Sequence, residues 1–196
     1  MMAWSTDHRV LPRMNRRVVP LSSRKYRAVL TALGLTALGC DAGVQAAESP
    51  GGNHHPLLGK SAPEFDLPAQ SGSTRASLAS AEGKVVLVDF WATWCGPCKA
   101  SFPKYEALVK KYSDRVTVLG ISEDDESDDI KAFAAETGAT FPLAWDAEKS
   151  VARSYHPDSM PTSFLIDKEG LVRFVHSGFR DGEEKEIETQ LRSLVE

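Results

Sequence analysis

Two cysteines separated by two residues, in Trp94-Cys95-Gly96-Pro97-Cys98-Lys99, are the side chains of this sequence best suited to chemistry. The only other cysteine is Cys40. A disulfide scaffold would need more pairs at wider spacing, and a tetrahedral zinc site two more thiolate or imidazole ligands. His54, His55, His156 and His176 show no paired spacing that would supply them. A redox pair remains, with no metal and no cofactor beyond a Cys95–Cys98 disulfide. In the expected cycle the Cys95 thiolate attacks a substrate disulfide to form a mixed disulfide. Cys98 then attacks Cys95, which releases reduced substrate and closes the bridge.

Such chemistry needs a lowered thiol pKa, and therefore a particular placement. Lys84 to Trp91 is a nearly continuous β-branched and apolar run, the pattern of a strand buried on both faces. The chain then turns at Ala92-Thr93-Trp94, and Pro97 to Tyr112 carries Phe102, Tyr105, Leu108, Val109 and Tyr112 at helical spacing. Cys95 thus sits where a helix begins, and free N–H groups with the positive dipole end favour its thiolate. Pro97 belongs in the first turn, where its missing N–H costs nothing. Gly96 leaves room for a substrate chain, and Cys98 is expected to be the more buried, resolving thiol. Asp89 on the preceding strand is either the base that takes the Cys98 proton or a strand-end carboxylate that meets solvent.

The remaining pattern reads as strand 115–122, helix 127–137 closed by Gly138, strand 141–145 and helix 147–155. A hairpin of 162–167 and 171–176 turns at Lys168-Glu169-Gly170, and a final helix spans 183–195. Pro103 inside the first helix implies a kink. The acidic run 123–129 lacks the glycine and terminal glutamate of an EF-hand loop and is read as complementing a helix dipole. The sum is an α/β fold with a mixed central sheet and helices on both faces.

Residues 1–40 hold seven Lys or Arg against one acid, whereas 16 basic and 26 acidic residues follow Cys40. Phosphate backbones need clustered Lys and Arg, so nucleic acid is excluded as a partner. Arg24, Lys25 and Arg27 precede an uncharged run from Ala28 to Gly39. That run is shorter than the roughly 20 residues of a spanning helix and suits a secretory signal. Met14 is an alternative start to Met1. Ala37-Leu38-Gly39-Cys40 resembles a bacterial lipobox, with Ala37 where Leu is usual, which implies a lipidated Cys40. Residues 41–56 read as a flexible tether, His54 and His55 included, and residues 57–196 as the folded domain.

The run Val88-Asp89-Phe90-Trp91-Ala92-Thr93-Trp94-Cys95-Gly96-Pro97-Cys98-Lys99 resembles the active-site segment of thioredoxin, and Pro103 matches the proline in its active-site helix. Met160-Pro161-Thr162 resembles the cis-proline turn that faces the disulfide in this superfamily and pairs with substrate backbone. Gly59 to Leu67 and the segment 125–155 are similar to the N-terminal extension and the helix–strand insert of the exported, membrane-tethered TlpA/ResA branch. The resemblance implies an exported thiol–disulfide oxidoreductase of the periplasm or cell envelope. Its substrates would be protein disulfides or dithiols, with cytochrome c maturation among its roles, and a thiol-carrying membrane protein would supply electrons. Trp94, Gly96, Pro97, Met160 and Pro161 would support substrate at the site. The Gly-Pro dipeptide is shared with reducing thioredoxins, so reduction rather than oxidation is the expected direction. Two rivals stand beside it. A thiol peroxidase would share the Ala62-Pro63-Glu64-Phe65 opening, and a copper-capturing lipoprotein would use the dithiol as a soft ligand.

Overall fold

In a computed structural model, residues 55–196 are described. The leader 1–40 with Cys40 and Met14, and the tether as far as residue 54, lie outside the described residues. Among the described residues seven strands form one sheet: β1 Asp66–Ser71, β2 Arg75–Ser77, β3 Val85–Trp91, β4 Val116–Ser122, β5 Leu143–Trp145, β6 Thr162–Ile166 and β7 Val172–Ser177. Their spatial order is β2-β1-β5-β4-β3-β6-β7. β3 runs parallel to β4 and antiparallel to β6, so the sheet is mixed with β3 near its middle. Among the described residues the sheet is joined by four α-helices: α1 Gly96–Tyr112, α2 Ile130–Thr137, α3 Ser150–Tyr155 and α4 Glu183–Val195.

Every residue of β3 is buried, Asp89 included, as its nearly continuous apolar pattern predicts. Val85, Leu87 and Trp91 face one apolar cluster with Phe102 and Tyr105 of α1, Phe133 of α2, and Ile187 and Leu191 of α4. Val86, Val88 and Phe90 face a second, with Val151, Ala152 and Tyr155 of α3 and Phe65 of the N-terminal segment. Helices therefore cover both faces, three on one and α3 on the other.

Three departures from the sequence reading have local causes. α2 begins at Ile130, not residue 127, because residues 127–129 form a turn in which the Ile130 N–H bonds the Ser127 carbonyl. Its first turn contains no acid, and of the acidic run Asp129 alone stands at the helix start, as its N-cap without a side-chain cap bond. α3 begins at Ser150, not residue 147, where the buried Asp146 carboxylate accepts the N–H groups of Ser150, Val151 and Ala152 at 2.9 Å each. Finally, the β1–β2 hairpin has no counterpart in the sequence reading, since β1 is an amphipathically weak, half-buried strand carrying Pro68.

The folded part starts before residue 57. His55, read as tether, is buried: its Nδ1 accepts the Leu57 N–H at 3.2 Å and its Nε2 meets the His156 carbonyl at 3.1 Å. Its ring packs edge-on against Phe164 at 5.0 Å between centroids. Among the described residues no helix is long and apolar enough to cross a membrane.

Candidate active site

The chain leaves β3 at Trp91 and is held in place before it enters α1. Asp124, just past β4, accepts the Thr93 N–H with both oxygens at 3.1 and 3.0 Å and the Thr93 hydroxyl at 2.9 Å. Ser122 steadies the same carboxylate at 2.8 Å, and the Glu123 N–H bonds the Trp91 carbonyl at 2.8 Å. The backbone carbonyl of Asp124 accepts the Trp145 indole N–H at 2.8 Å and the Lys149 ammonium at 2.6 Å. One residue thus ties the loop before Cys95 to β5 and to the segment entering α3. Its neighbour Glu123 keeps one oxygen buried without a partner, and burial raises its pKa.

Cys95 is the residue that opens α1. Its N–H bonds the Ala92 carbonyl at 3.1 Å, and its own carbonyl accepts the Lys99 N–H at 3.2 Å, the first bond of the helix. The Cys98 N–H points at Cys95 Sγ, 3.2 Å away. A sulfur therefore occupies the position where a serine or aspartate oxygen usually caps a helix, and a thiolate there gains a hydrogen bond and the helix dipole. Cys95 and Cys98 form a disulfide with Cα atoms 5.3 Å apart. Cys98 is fully buried and Cys95 is 4% exposed. Gly96 and Pro97 are exposed beside them, and Trp94, at 70%, is the exposed large apolar side chain of the described residues.

The Met160–Pro161 peptide is cis. Pro161 is buried, and Met160 is half-buried against the apolar cluster that contains both cysteines. The Pro161 carbonyl accepts the Gly178 N–H at 2.7 Å, while the Thr162 hydroxyl bonds the Ser159 carbonyl at 2.7 Å, so the turn is fastened on both sides. Of the residues that the sequence reading singles out, Trp94, Gly96 and Pro97 adjoin the two cysteines along the chain, and Met160 shares their apolar cluster.

Asp89 does not meet solvent. It is completely buried on β3, directly across from Ser163 on β6 and Gly120 on β4. Ser163 donates its hydroxyl to Asp89 Oδ1 at 2.7 Å, and Tyr105 of α1 lies 2.8 Å from that hydroxyl. Asp89 Oδ2 has no partner. Burial dominates over these hydrogen bonds and pushes the carboxyl up to about 7. A carboxyl that titrates near neutrality can both take and return a proton.

Ser163, Tyr105 and Asp124 are the functional neighbours that sequence reasoning missed as such. Tyr105 reads as one more apolar position of a helical face. Its placement seven residues after Cys98, about two turns, is the signal that it shares the cysteine's side of the helix. Ser163 is the second residue of β6, two residues after Pro161. Among the described residues, no group of three or more His, Cys, Asp or Glu side chains gathers that could hold a metal ion.

Comparison with known proteins gives a consistent answer. The AhpC/TSA family model matches residues 58–175. The thioredoxin-like protein YneN of Bacillus subtilis is 37% identical over 136 residues, covering 68% of this chain and 78% of the relative. The thiol-disulfide oxidoreductase ResA of Geobacillus kaustophilus is 33% identical over 138 residues, covering 70% and 78%. Among solved structures, a Chlorobium tepidum protein described as thiol:disulfide interchange protein DsbE is 36% identical with a TM-score of 0.67, covering 71% of this chain and 98% of its own.

Proposed function

Because this chain belongs to the AhpC/TSA family of thioredoxin-fold proteins and is a thiol–disulfide oxidoreductase of ResA-like kind, we propose that it is an exported reductant of protein disulfides. The observation that carries this reading is the placement of Cys95 Sγ on the Cys98 N–H at the start of α1, beside the exposed Trp94. Reduced Cys95 attacks one sulfur of a substrate disulfide. A Cys95–substrate bond forms, and the other substrate sulfur leaves as a thiolate. Cys98 gives its proton to Asp89 and attacks Cys95 Sγ, so that the intramolecular disulfide forms and the second substrate sulfur is released. Two electrons pass from the dithiol to the substrate, and no cofactor beyond the cysteine pair is used. Trp94, Gly96, Pro97, Met160 and Pro161 form the strip on which the extended substrate chain lies.

The export half of the reading rests on sequence. Residues 1–40 act as a signal, Cys40 carries lipid, and the tether that follows lets the domain from His55 onward work at a membrane surface. An oxidising compartment demands a supply of electrons, which a membrane protein with its own thiols delivers. Apocytochrome c, whose cysteines must be reduced before haem attachment, is a substrate of the right chemistry. A second reading, thiol peroxidase, is favoured by the family match alone. Against it, Trp91-Ala92-Thr93-Trp94 replaces the Pro-x-x-x-Thr-x-x-Cys loop of peroxidases.

Equilibration with glutathione or dithiothreitol tests the direction. A Cys95–Cys98 potential near or below about −250 mV supports a reductant, and one near −120 mV sinks it in favour of an oxidant. In Cys98→Ser, substrate proteins accumulate as mixed disulfides on Cys95, whereas rapid peroxide consumption by the wild type would transfer the case to the peroxidase.

A further inference from the structure

We infer that Tyr105 and Ser163 are positioning residues for Asp89: a one-way donor chain, Tyr105 to Ser163 to Asp89 Oδ1, pins one carboxylate oxygen and leaves Oδ2 to receive the Cys98 proton. This deepens the proposed reaction and rests on Asp89 being its proton acceptor. The direction of the chain follows from counting hydrogens. Ser163 Oγ has two oxygen neighbours, Asp89 Oδ1 at 2.7 Å and Tyr105 Oη at 2.8 Å, and owns one proton. An ionised carboxylate only accepts, so the Ser163 proton goes to Asp89, and the Tyr105 proton goes to Ser163.

Burial gives the arrangement its force. Asp89, Ser163 and Tyr105 are all completely buried, so water does not stand in for any member. They come from three elements, β3, β6 and α1, and Asp89 and Ser163 are direct cross-strand partners. Tyr105 lies on the same helix as Cys98, and both are buried in the same apolar cluster. Asp89 Oδ2 remains buried and bare. A proton arriving at this carboxyl meets one oxygen already occupied and one free. Tyr105 is a donor that keeps its own proton, because burial and the nearby carboxylate hold its pKa well above the usual value.

The test is the pH dependence of disulfide reduction by the full chain, together with the carbon-13 titration of the Asp89 carboxyl. Ser163→Ala removes a hydrogen bond to the charged form and is expected to raise the Asp89 midpoint by about one pH unit. Tyr105→Phe raises it less. Because Tyr105 acts through Ser163, the double variant shifts no further than Ser163→Ala alone. Ser163→Thr, which keeps the hydroxyl, returns the midpoint toward wild type. Should Ser163→Ala fail to fold, Tyr105→Phe and Ser163→Thr still decide, since the first must shift and the second must not. Unmoved midpoints in folded variants, or additive shifts in the double variant, overturn the donor chain. Asp89→Asn separates the two levels: a pH profile that survives it overturns the Asp89 reading and the chain with it. A profile lost in Asp89→Asn but unmoved in Ser163→Ala and Tyr105→Phe overturns the chain alone.

Discussion

Asp89→Asn is expected to remove the pH dependence of stability that the buried carboxyl imposes. The folded protein holds this carboxyl at about 7 against an ordinary value of 3.8, with burial the largest cause. Between those limits the folded state binds the extra proton, so unfolding free energy falls as pH rises. A window of about three pH units at about 1.4 kcal/mol each makes the ionised Asp89 cost about 4 kcal/mol above pH 7, and nothing below pH 4. Asparagine removes that cost. Its carbonyl still accepts from Ser163, but its amide replaces the bare Oδ2 with buried N–H groups that have no acceptor, at about 1–3 kcal/mol at every pH. The variant is therefore less stable than wild type at pH 4, more stable at pH 8 by about 1–3 kcal/mol, and the two curves cross between. Urea denaturation of the oxidised protein at half-unit pH steps reads this directly, with m unchanged. Parallel curves, with a constant offset from pH 4 to 8, would refute a neutral, buried Asp89.

Asp124→Ala strips the Thr93 N–H, the Thr93 hydroxyl and the Ser122 hydroxyl of their shared acceptor. A loss of about 2–4 kcal/mol is expected in urea denaturation, with faster hydrogen exchange at the Thr93 amide. Trp94→Ala, at an exposed position, changes stability by less than about 0.5 kcal/mol. It slows reduction of a protein disulfide several-fold and leaves reaction with dithiothreitol unchanged, as stopped-flow tryptophan fluorescence and insulin turnover can measure. His55→Ala costs about 1–2 kcal/mol, because it orphans the Leu57 N–H and empties the contact with Phe164. No loss would return His55 to the tether.

The parts of this molecule that are legible in sequence are those where one residue type meets one local rule. The run 85–91 could only be a doubly buried strand, and Cys95-Gly96-Pro97-Cys98 could only open a helix without penalty. Glu183–Val195 emerges with the predicted bounds because its apolar stripe, Ile187 and Leu191, is regular. What escaped depends on partners far along the chain. Ser163 lies 74 residues from Asp89, and Asp124 lies 31 from Thr93, and nothing in the local pattern distinguishes either from an ordinary polar residue. The acidic run 123–129 looked like a uniform charge cluster, yet the fold buries Asp124 and leaves Asp125 and Asp128 in solvent. β1 escaped because it is a half-buried strand, interrupted by Pro68, with no regular apolar alternation.

Across from Asp89 on β4 stands Gly120, and the space above it is spoken for. A Cβ there would lie 2.5 Å from Leu143 Cδ2 and 3.0 Å from the Trp91 indole nitrogen. A side chain at that rung would have to displace the end of Leu143 and press on the Trp91 ring before it could bring a counter-charge to the carboxyl. Retuning the protein for a more acidic or more alkaline compartment meets less obstruction from the opposite side, through β6 and α1. A designer has there a short scale of settings, one hydroxyl at a time, rather than the large step that an added cation would bring.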